Sequence, residues 1–205
     1  LVSHSMDQIR DHCDRALWLR QGMVVACDSA KSVATYYEQE MREGSVRRTP
    51  KISSRKTFMG AELLPKENRF GSMEMEISDV ILQPGHVRGC GDPLVIEIVY
   101  TCQSALESPI FSVSITRPDG TVCLDINTQS ARVPITQVNG DGSIRLNIGR
   151  LDIAPGNYFV NVGVFEASWS HAYDFHWHAY QLLVEGGSSH KGILAPPCRW
   201  EMDLA

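Results

Sequence analysis

The sequence predicts a mainly β chain, an immunoglobulin-like antiparallel β-sandwich preceded by a short helical segment. Three observations carry that prediction. From residue 71 onward, apolar and polar residues alternate in about seven short runs separated by Gly, Pro, Asn and Asp turns. Before residue 45 the apolar residues recur at helical spacing. Between residues 45 and 70 neither period survives. The expected organisation is therefore a helical unit over 1–44, a linker over 45–70 and a sandwich over 71–205.

Leu1-Val2 opens the chain as an apolar strand end, followed by helical spacing from Met6 to Arg15 and a second strand-like run around Ala16-Leu17-Trp18-Leu19. A domain rarely starts on an unpaired apolar strand, because its backbone donors and acceptors would lack partners. This opening is expected to be the tail of a larger domain. Asp28 or Ser29 can cap a helix carrying Val33, Ala34, Tyr36, Tyr37 and Met41, and Gly44 is its expected stop.

The sandwich strands follow from period two. Met73, Met75 and Ile77 alternate with Glu74, Glu76 and Ser78, and Leu94, Ile96, Ile98 and Tyr100 with Val95, Glu97, Val99 and Thr101. Phe111, Val113 and Ile115 lead through Pro118-Asp119-Gly120 to Val122, Leu124 and Ile126. Ile144, Leu146 and Ile148 follow Asn139-Gly140-Asp141-Gly142, then Tyr158, Val160, Val162 and Val164 follow Pro155-Gly156-Asn157. A last run covers 180–184. One buried and one wet face are what such alternation demands.

Composition narrows the function classes. A net charge of −5 and a pI near 5.8 leave no basic surplus for nucleic-acid phosphates. Arg47-Arg48 and the basic stretch 51–56 read as solvated linker charge. The 6 cysteines are irregularly spaced without a C-x-x-C pair, which suits reduced thiols and the cytoplasm. No apolar run approaches the roughly 18 residues of a membrane helix, so membrane contact is expected through a partner.

The densest candidate site is the segment 169–178, W-S-H-A-Y-D-F-H-W-H. Sugars present hydroxyls and weakly apolar C–H faces, which aromatic platforms and planar polar groups can grip. In an extended strand Trp169, His171, Tyr173, Phe175 and Trp177 would share one face, and Asp174, His176 and His178 the other. The rival reading places Phe175 and one tryptophan in the core. A metal at Asp174 and the histidines lacks a fourth ligand, and glycosidase chemistry lacks its second carboxylate. Glu97, Thr101, Ser112, Ser114, Thr116, Arg145, Asn147 and Asn161 are candidate polar groups on wet faces. Phe159 and Phe165 flank Asn161 opposite the core face, so they are expected to be exposed, covered by a partner or part of a groove. Arg145 would suit an anionic group, since its fork binds bidentately. Trp169, His171, Tyr173, His176, Trp177, Asn161 and Arg145 are the expected carbohydrate-binding residues, with no catalytic or metal residue.

Beyond residue 185, Gly186-Gly187-Ser188-Ser189 forms an expected hinge. The segment with Ile193, Leu194 and Trp200 then folds back or adds a strand to a neighbour's edge.

The run L-V-S-H-S, the helix after it and the stretch D-R-A-L-W-L-R-Q-G-M-V-V-A resemble the end of an ATP-binding-cassette ATPase domain. That resemblance implies that His4 is the switch-loop histidine, which contacts the terminal phosphate of ATP. With the sandwich, its G-N-Y-F-V-N-V-G strand at 156–163, the Tyr173-Asp174 pair and the closing Trp200, the whole chain resembles the Wzt-type nucleotide-binding subunits of O-antigen polysaccharide exporters. Their C-terminal extension is a carbohydrate-binding sandwich.

The resemblance implies recognition of the non-reducing end of an O-polysaccharide carried on undecaprenyl diphosphate. It further implies a transmembrane exporter subunit as partner, a homodimer formed by C-terminal strand exchange, and a peripheral location on the cytoplasmic face of the bacterial inner membrane. These residues contain no G-x-x-x-x-G-K-[ST], Walker B strand or signature loop. ATP hydrolysis is therefore not expected of them, His4 has no phosphate to contact here, and ATP and Mg²⁺ belong to a full-length parent. The alternative is a dimerisation or docking module with no glycan recognition of its own.

Overall fold

The computed structural model describes residues 1–2, 6–186 and 192–197. In chain order the elements are α1 (Met6–His12), β1 (Arg15–Arg20), β2 (Met23–Ser29), α2 (Ala30–Arg48), β3 (Arg55–Lys56), β4 (Glu62–Leu63), β5 (Arg69–Phe70), β6 (Met75–Gln83) and β7 (Val87–Gly89). They continue as β8 (Leu94–Cys102), β9 (Leu106–Glu107), β10 (Ile110–Thr116), β11 (Val122–Asn127), β12 (Gln137–Val138), β13 (Gly142–Ile148), β14 (Gly156–Phe165) and β15 (Ala172–Glu185).

The N-terminal unit is an antiparallel hairpin, β1–β2, backed by α2. Its two-residue turn, Gln21-Gly22, has both φ angles positive, at 49° and 79°, as a twist-matched hairpin turn requires. Ser29 caps α2 by accepting the Ser32 N–H at 3.2 Å. The helix buries Ala30, Val33 and Ala34, and Tyr36 and Tyr37 meet Trp18 edge-on at 5.8 and 5.4 Å. It does not stop at Gly44. It runs to Arg48 and ends at Thr49 because Pro50 forces the residue before it into an extended conformation.

Two sheets form the sandwich. One has the order β13-β8-β6; the other runs β11-β10-β14-β15-β5, with the short β7 parallel to β15. All other neighbours in these sheets are antiparallel. Ile77, Val80, Leu94 and Ile96 of the smaller sheet close over Val113, Ile115, Val160, Val162, Val164 and Leu182 of the larger, all at most 4% exposed. β5 joins the larger sheet, so ordered structure begins inside the stretch read as linker. Two-residue strands carry no period, and their pairing is non-local.

Register shifts break the alternation at several points, and two of them bear on the site. In β6 the register slips between Ile77 and Asp79, so Met75 and Ile77 face inward on one phase and Val80 and Leu82 on the next. In β15 the residues 177–179 lie between the pairs Val162↔His176 and Val160↔Tyr180, opposite Asn161 alone. At the C-terminal side, Ala154 N–H donates to Ile193 at 2.8 Å and Ala195 N–H to Asp152 at 3.0 Å, so this segment folds back on its own chain. His4, the hinge residues 187–189, Cys198 and Trp200 lie outside the described residues. The described cysteines are free.

Candidate functional site

The outward face of the larger sheet carries a continuous row of rings. At one end Phe159, His178 and Trp177 stack nearly parallel, with centroids 4.5 and 4.4 Å apart and planes within 13°. The β15 bulge puts them there. His178 has a left-handed φ of 51°, its N–H donates to Asn161 Oδ1 at 2.7 Å, and its Nε2 shares a hydrogen bond with Thr116 Oγ1 at 3.1 Å. Burial lowers the His178 pKa, keeping the ring neutral within its stack.

At the other end the rings tilt. Phe175 lies 6.0 Å from Trp177 and 5.9 Å from Phe165, and Phe165 lies 4.9 Å from Trp169, with interplanar angles of 38–46°. Gly163 explains the tilt. A Cβ there would come within 2.5 Å of the Phe165 ring and 2.9 Å of the Phe175 ring, so both rings settle over a residue without a side chain. In the stack His178 is covered on both faces, whereas the tilted Phe165 and Trp169 are the rings of the row that line the open cleft beside it. Phe165 and Trp169 therefore form the usable platform.

Trp169 sits in the turn before β15 rather than on the strand. Its φ is 61°, a region that bulky residues rarely adopt and that concentrates at binding sites. Its N–H donates to the Glu166 carbonyl at 2.8 Å and its indole N–H to Gln129 Oε1 at 2.9 Å. Glu166 organises this turn by accepting from the Ser168 N–H at 2.9 Å, from the Ser168 hydroxyl, and from the Ser170 hydroxyl at 2.9 Å. The Ser168 hydroxyl bond, with the other donors, holds the Glu166 pKa down at about 2, so the turn keeps its anion at any physiological pH.

Beside the platform lies an open cleft of about 940 Å³. The sandwich lines one side with Asp125, Asn127, Gln129, Phe165, Trp169 and His171; α2 and its hairpin line the other with Arg20, Tyr37, Glu40, Gly44, Arg47 and Arg48. Arg20 and Arg47 both reach Glu40 at 3.1 Å and hold its carboxyl below the ordinary range, the Arg20 hydrogen bond most strongly. The walls meet where the Arg48 guanidinium donates to the Ser170 carbonyl at 3.1 Å. Planar amides, guanidinium groups and an open aromatic face are a sugar-binding set.

Of the expected binding residues, Trp169 and His171 reach this cleft. His171 is tied by Nδ1 to the Ser170 hydroxyl and by Nε2 to Glu74 at 3.2 Å. Trp177 belongs to the closed stack. The other positions need correction. Tyr173 is 6% exposed and packs in the core. Asn161 is fully buried beneath the row, donating to Ser114 and Thr116, both at 3.1 Å. Arg145 lies on the other sheet, paired with Glu97 at 3.0 Å. Thr116 and Glu97, read as wet, are 0% and 8% exposed.

His176 is also fully buried, on β15 between β14 and β5 and facing the edge strand β6. Ile77 there donates its N–H to Asp174 Oδ2 at 2.9 Å, and its carbonyl accepts from Arg55. Arg69 forks Asp174 through Nε at 3.0 Å and Nη2 at 2.6 Å, and reaches Glu76 at 2.7 Å. His176 accompanies this network, bonding Tyr180 Oη through Nδ1 at 2.7 Å with Nε2 3.3 Å from Asp174. Burial lowers the His176 pKa despite the nearby carboxylate. Burial alone would raise that of Asp174, yet it is lowered, and with His176 neutral the Arg69 charge is what holds it down. Among the described residues no group of three or more His, Cys, Asp or Glu is placed to hold a metal ion.

Arg47 and Arg48, read as solvated linker charge, instead end α2 and line the cleft, while Gln129, Asn127, Asp125 and Glu40 carry no periodic signal as site residues. The polar run Asn127-Thr128-Gln129-Ser130 after β11 was the available local signal.

This architecture is an antiparallel β-sandwich appended to a helix-backed hairpin. Residues 66–195 match the family model described as the Wzt C-terminal domain, and the chain belongs to that family. A curated relative, the O-antigen export system ATP-binding protein RfbB of Myxococcus xanthus, is 21% identical over 98% of this chain. The chain spans 46% of that relative's length, about half. The solved C-terminal domain of Wzt superposes with a TM-score of 0.60 at 13% identity, over 68% of this chain and 90% of that one, which supports the fold. The matched family is a C-terminal domain and not an ATPase domain.

Proposed function

We propose that the chain is a non-enzymatic carbohydrate-binding module that recognises the non-reducing end of a lipid-linked O-antigen polysaccharide and couples that recognition to export. The observation that carries the reading is the tilted Phe165–Trp169 pair at the mouth of a polar cleft, in a chain of the Wzt C-terminal domain family. The relative named as an O-antigen export ATP-binding protein supplies the setting. In it, the polysaccharide arrives on undecaprenyl diphosphate, and a transmembrane exporter subunit holds the protein at the cytoplasmic face of the inner membrane. Among the described residues no helix is long and apolar enough to cross a membrane. ATP and Mg²⁺ would serve an ATPase domain of the parent, with no cofactor for these residues.

Calorimetry against O-polysaccharide released by mild acid from the lipopolysaccharide of the encoding bacterium tests this. Trp169→Ala should weaken binding about tenfold or more, the equivalent of roughly 1.4 kcal/mol, while Arg145→Ala leaves it unchanged. Equal, negligible binding by the unmodified chain and both variants sinks the reading.

A second reading, dimerisation, is favoured by one observation. At the open edge between β11 and β13, Phe111, Val113, Ile126, Val133, Ile144 and Leu146 line an apolar groove of about 150 Å³. A dimer that dissociates on Val133→Asp, with glycan binding absent, would favour it over the first.

A further inference from the structure

The cleft is not the property of the sandwich alone. α2 is fixed on one side to the β1–β2 hairpin, through Trp18 with Tyr36 and Tyr37. Toward the sandwich, bonds anchor the last turn of the helix and the residue after it. Arg48 donates to Ser170, and Thr49 Oγ1 accepts the Gly71 N–H at 3.1 Å. One to three turns earlier, at Gly44, Met41, Glu40 and Tyr37, the helix lines the open cleft. The geometry is that of two jaws joined at one end.

We infer that a glycan bound in this cleft touches both jaws, so that occupancy fixes the orientation of α2 and its hairpin relative to the sandwich. The inference rests on the glycan reading above and adds how binding is sensed. A ligand shifts an orientation only as far as it binds one arrangement better than another. A sugar seated on Phe165 and Trp169 gains the contacts of Tyr37, Glu40 and Arg47 only when the jaws are closed. Binding and closure are therefore linked, and each strengthens the other by the same factor. Ser170 is central to this linkage. Its carbonyl receives Arg48 and its hydroxyl bonds Glu166, which also holds the Trp169 turn. The turn that presents the platform is thus the turn the helix grips.

Hydrogen exchange on the 205-residue chain, with and without the released O-polysaccharide, tests the linkage. Saturating polysaccharide should slow exchange about fivefold or more in both 166–171 and 37–48. In Thr49→Val, which removes the acceptor of the Gly71 N–H and lines no part of the cleft, the protection of 37–48 should shrink while that of 166–171 persists. Protection confined to 166–171 would overturn the inference and leave glycan recognition standing. No calorimetric binding and no protection anywhere would remove both. A control separates fold from linkage: without polysaccharide, Thr49→Val should match the unmodified chain in its β8, β10 and β14 amides.

Discussion

Arg69 and Asp174, 105 positions apart, meet as a bidentate ion pair that is 2% and 0% exposed. Asp174 also accepts the N–H of Ile77, which stays paired with Tyr100 but sits on the edge strand β6 and needs an acceptor on its open side. Removing one partner strands a buried charge. Arg69→Met should cost about 3–5 kcal/mol, read as a lower urea midpoint at pH 7.5. A loss below 1 kcal/mol would mean that the buried network around Ile77 does not depend on this pair.

The same network sets an acid sensitivity in two windows. His176 has a folded pKa below its ordinary value near 6.5. Only the unfolded chain takes that proton, so stability is full above about pH 6.5 and declines as pH falls toward the folded value. Asp174 is also depressed, from an ordinary value near 3.9, so its contribution is full above about pH 4 and lost as pH falls through the folded value. Between about pH 6.5 and 4 the slope belongs to the histidine, with a smaller share from His178. His176→Gln should flatten the urea midpoint against pH across that window. An unchanged slope would reassign it.

Gly163 holds the platform by what it lacks. An added Cβ would press on the Phe165 and Phe175 rings. Gly163→Ala should cost about 1–3 kcal/mol and, by lifting Phe165 against Trp169, shift tryptophan emission and weaken glycan binding. Unchanged emission and affinity would show that the rings do not depend on this gap.

Gly44 offers the opposite substitution. A Cβ added there meets nothing within 4 Å, and the position lies on the cleft wall. Gly44→Leu should raise stability by roughly 0.5–1 kcal/mol, through helix propensity, while lowering polysaccharide affinity. A stabilised chain with undiminished affinity would place the sugar elsewhere.

How much of this could be read from sequence depends on whether the determinants are local. β8, β10, β13 and β14 follow their alternation, because each is paired on both sides or packs one clean face. β6 beyond Ile77 and β15 before Tyr180 do not, because each carries a bulge. Alternation alone also makes His176 read as an accessible site residue, and Asp174 beside it as a metal ligand lacking its full set. Their burial depends on Arg69 and Ile77, whose proximity no periodicity encodes. Phe159 and Phe165 were legible as outward rings; that one closes a stack and the other opens onto a cleft depended on Gly163 and the β15 bulge. The polar wall was least legible, since Gln129 and Arg48 meet Trp169 and Ser170 only after the sandwich and α2 are both in place.

The family model begins at residue 66, whereas Tyr37 to Arg48 form one side of the cleft. The unit that the family model describes is therefore smaller than the proposed unit of recognition. A chimaera joined at residue 66 would take the platform from one parent and the facing helix from the other. Its selectivity would match neither, even with every strand of the sandwich intact.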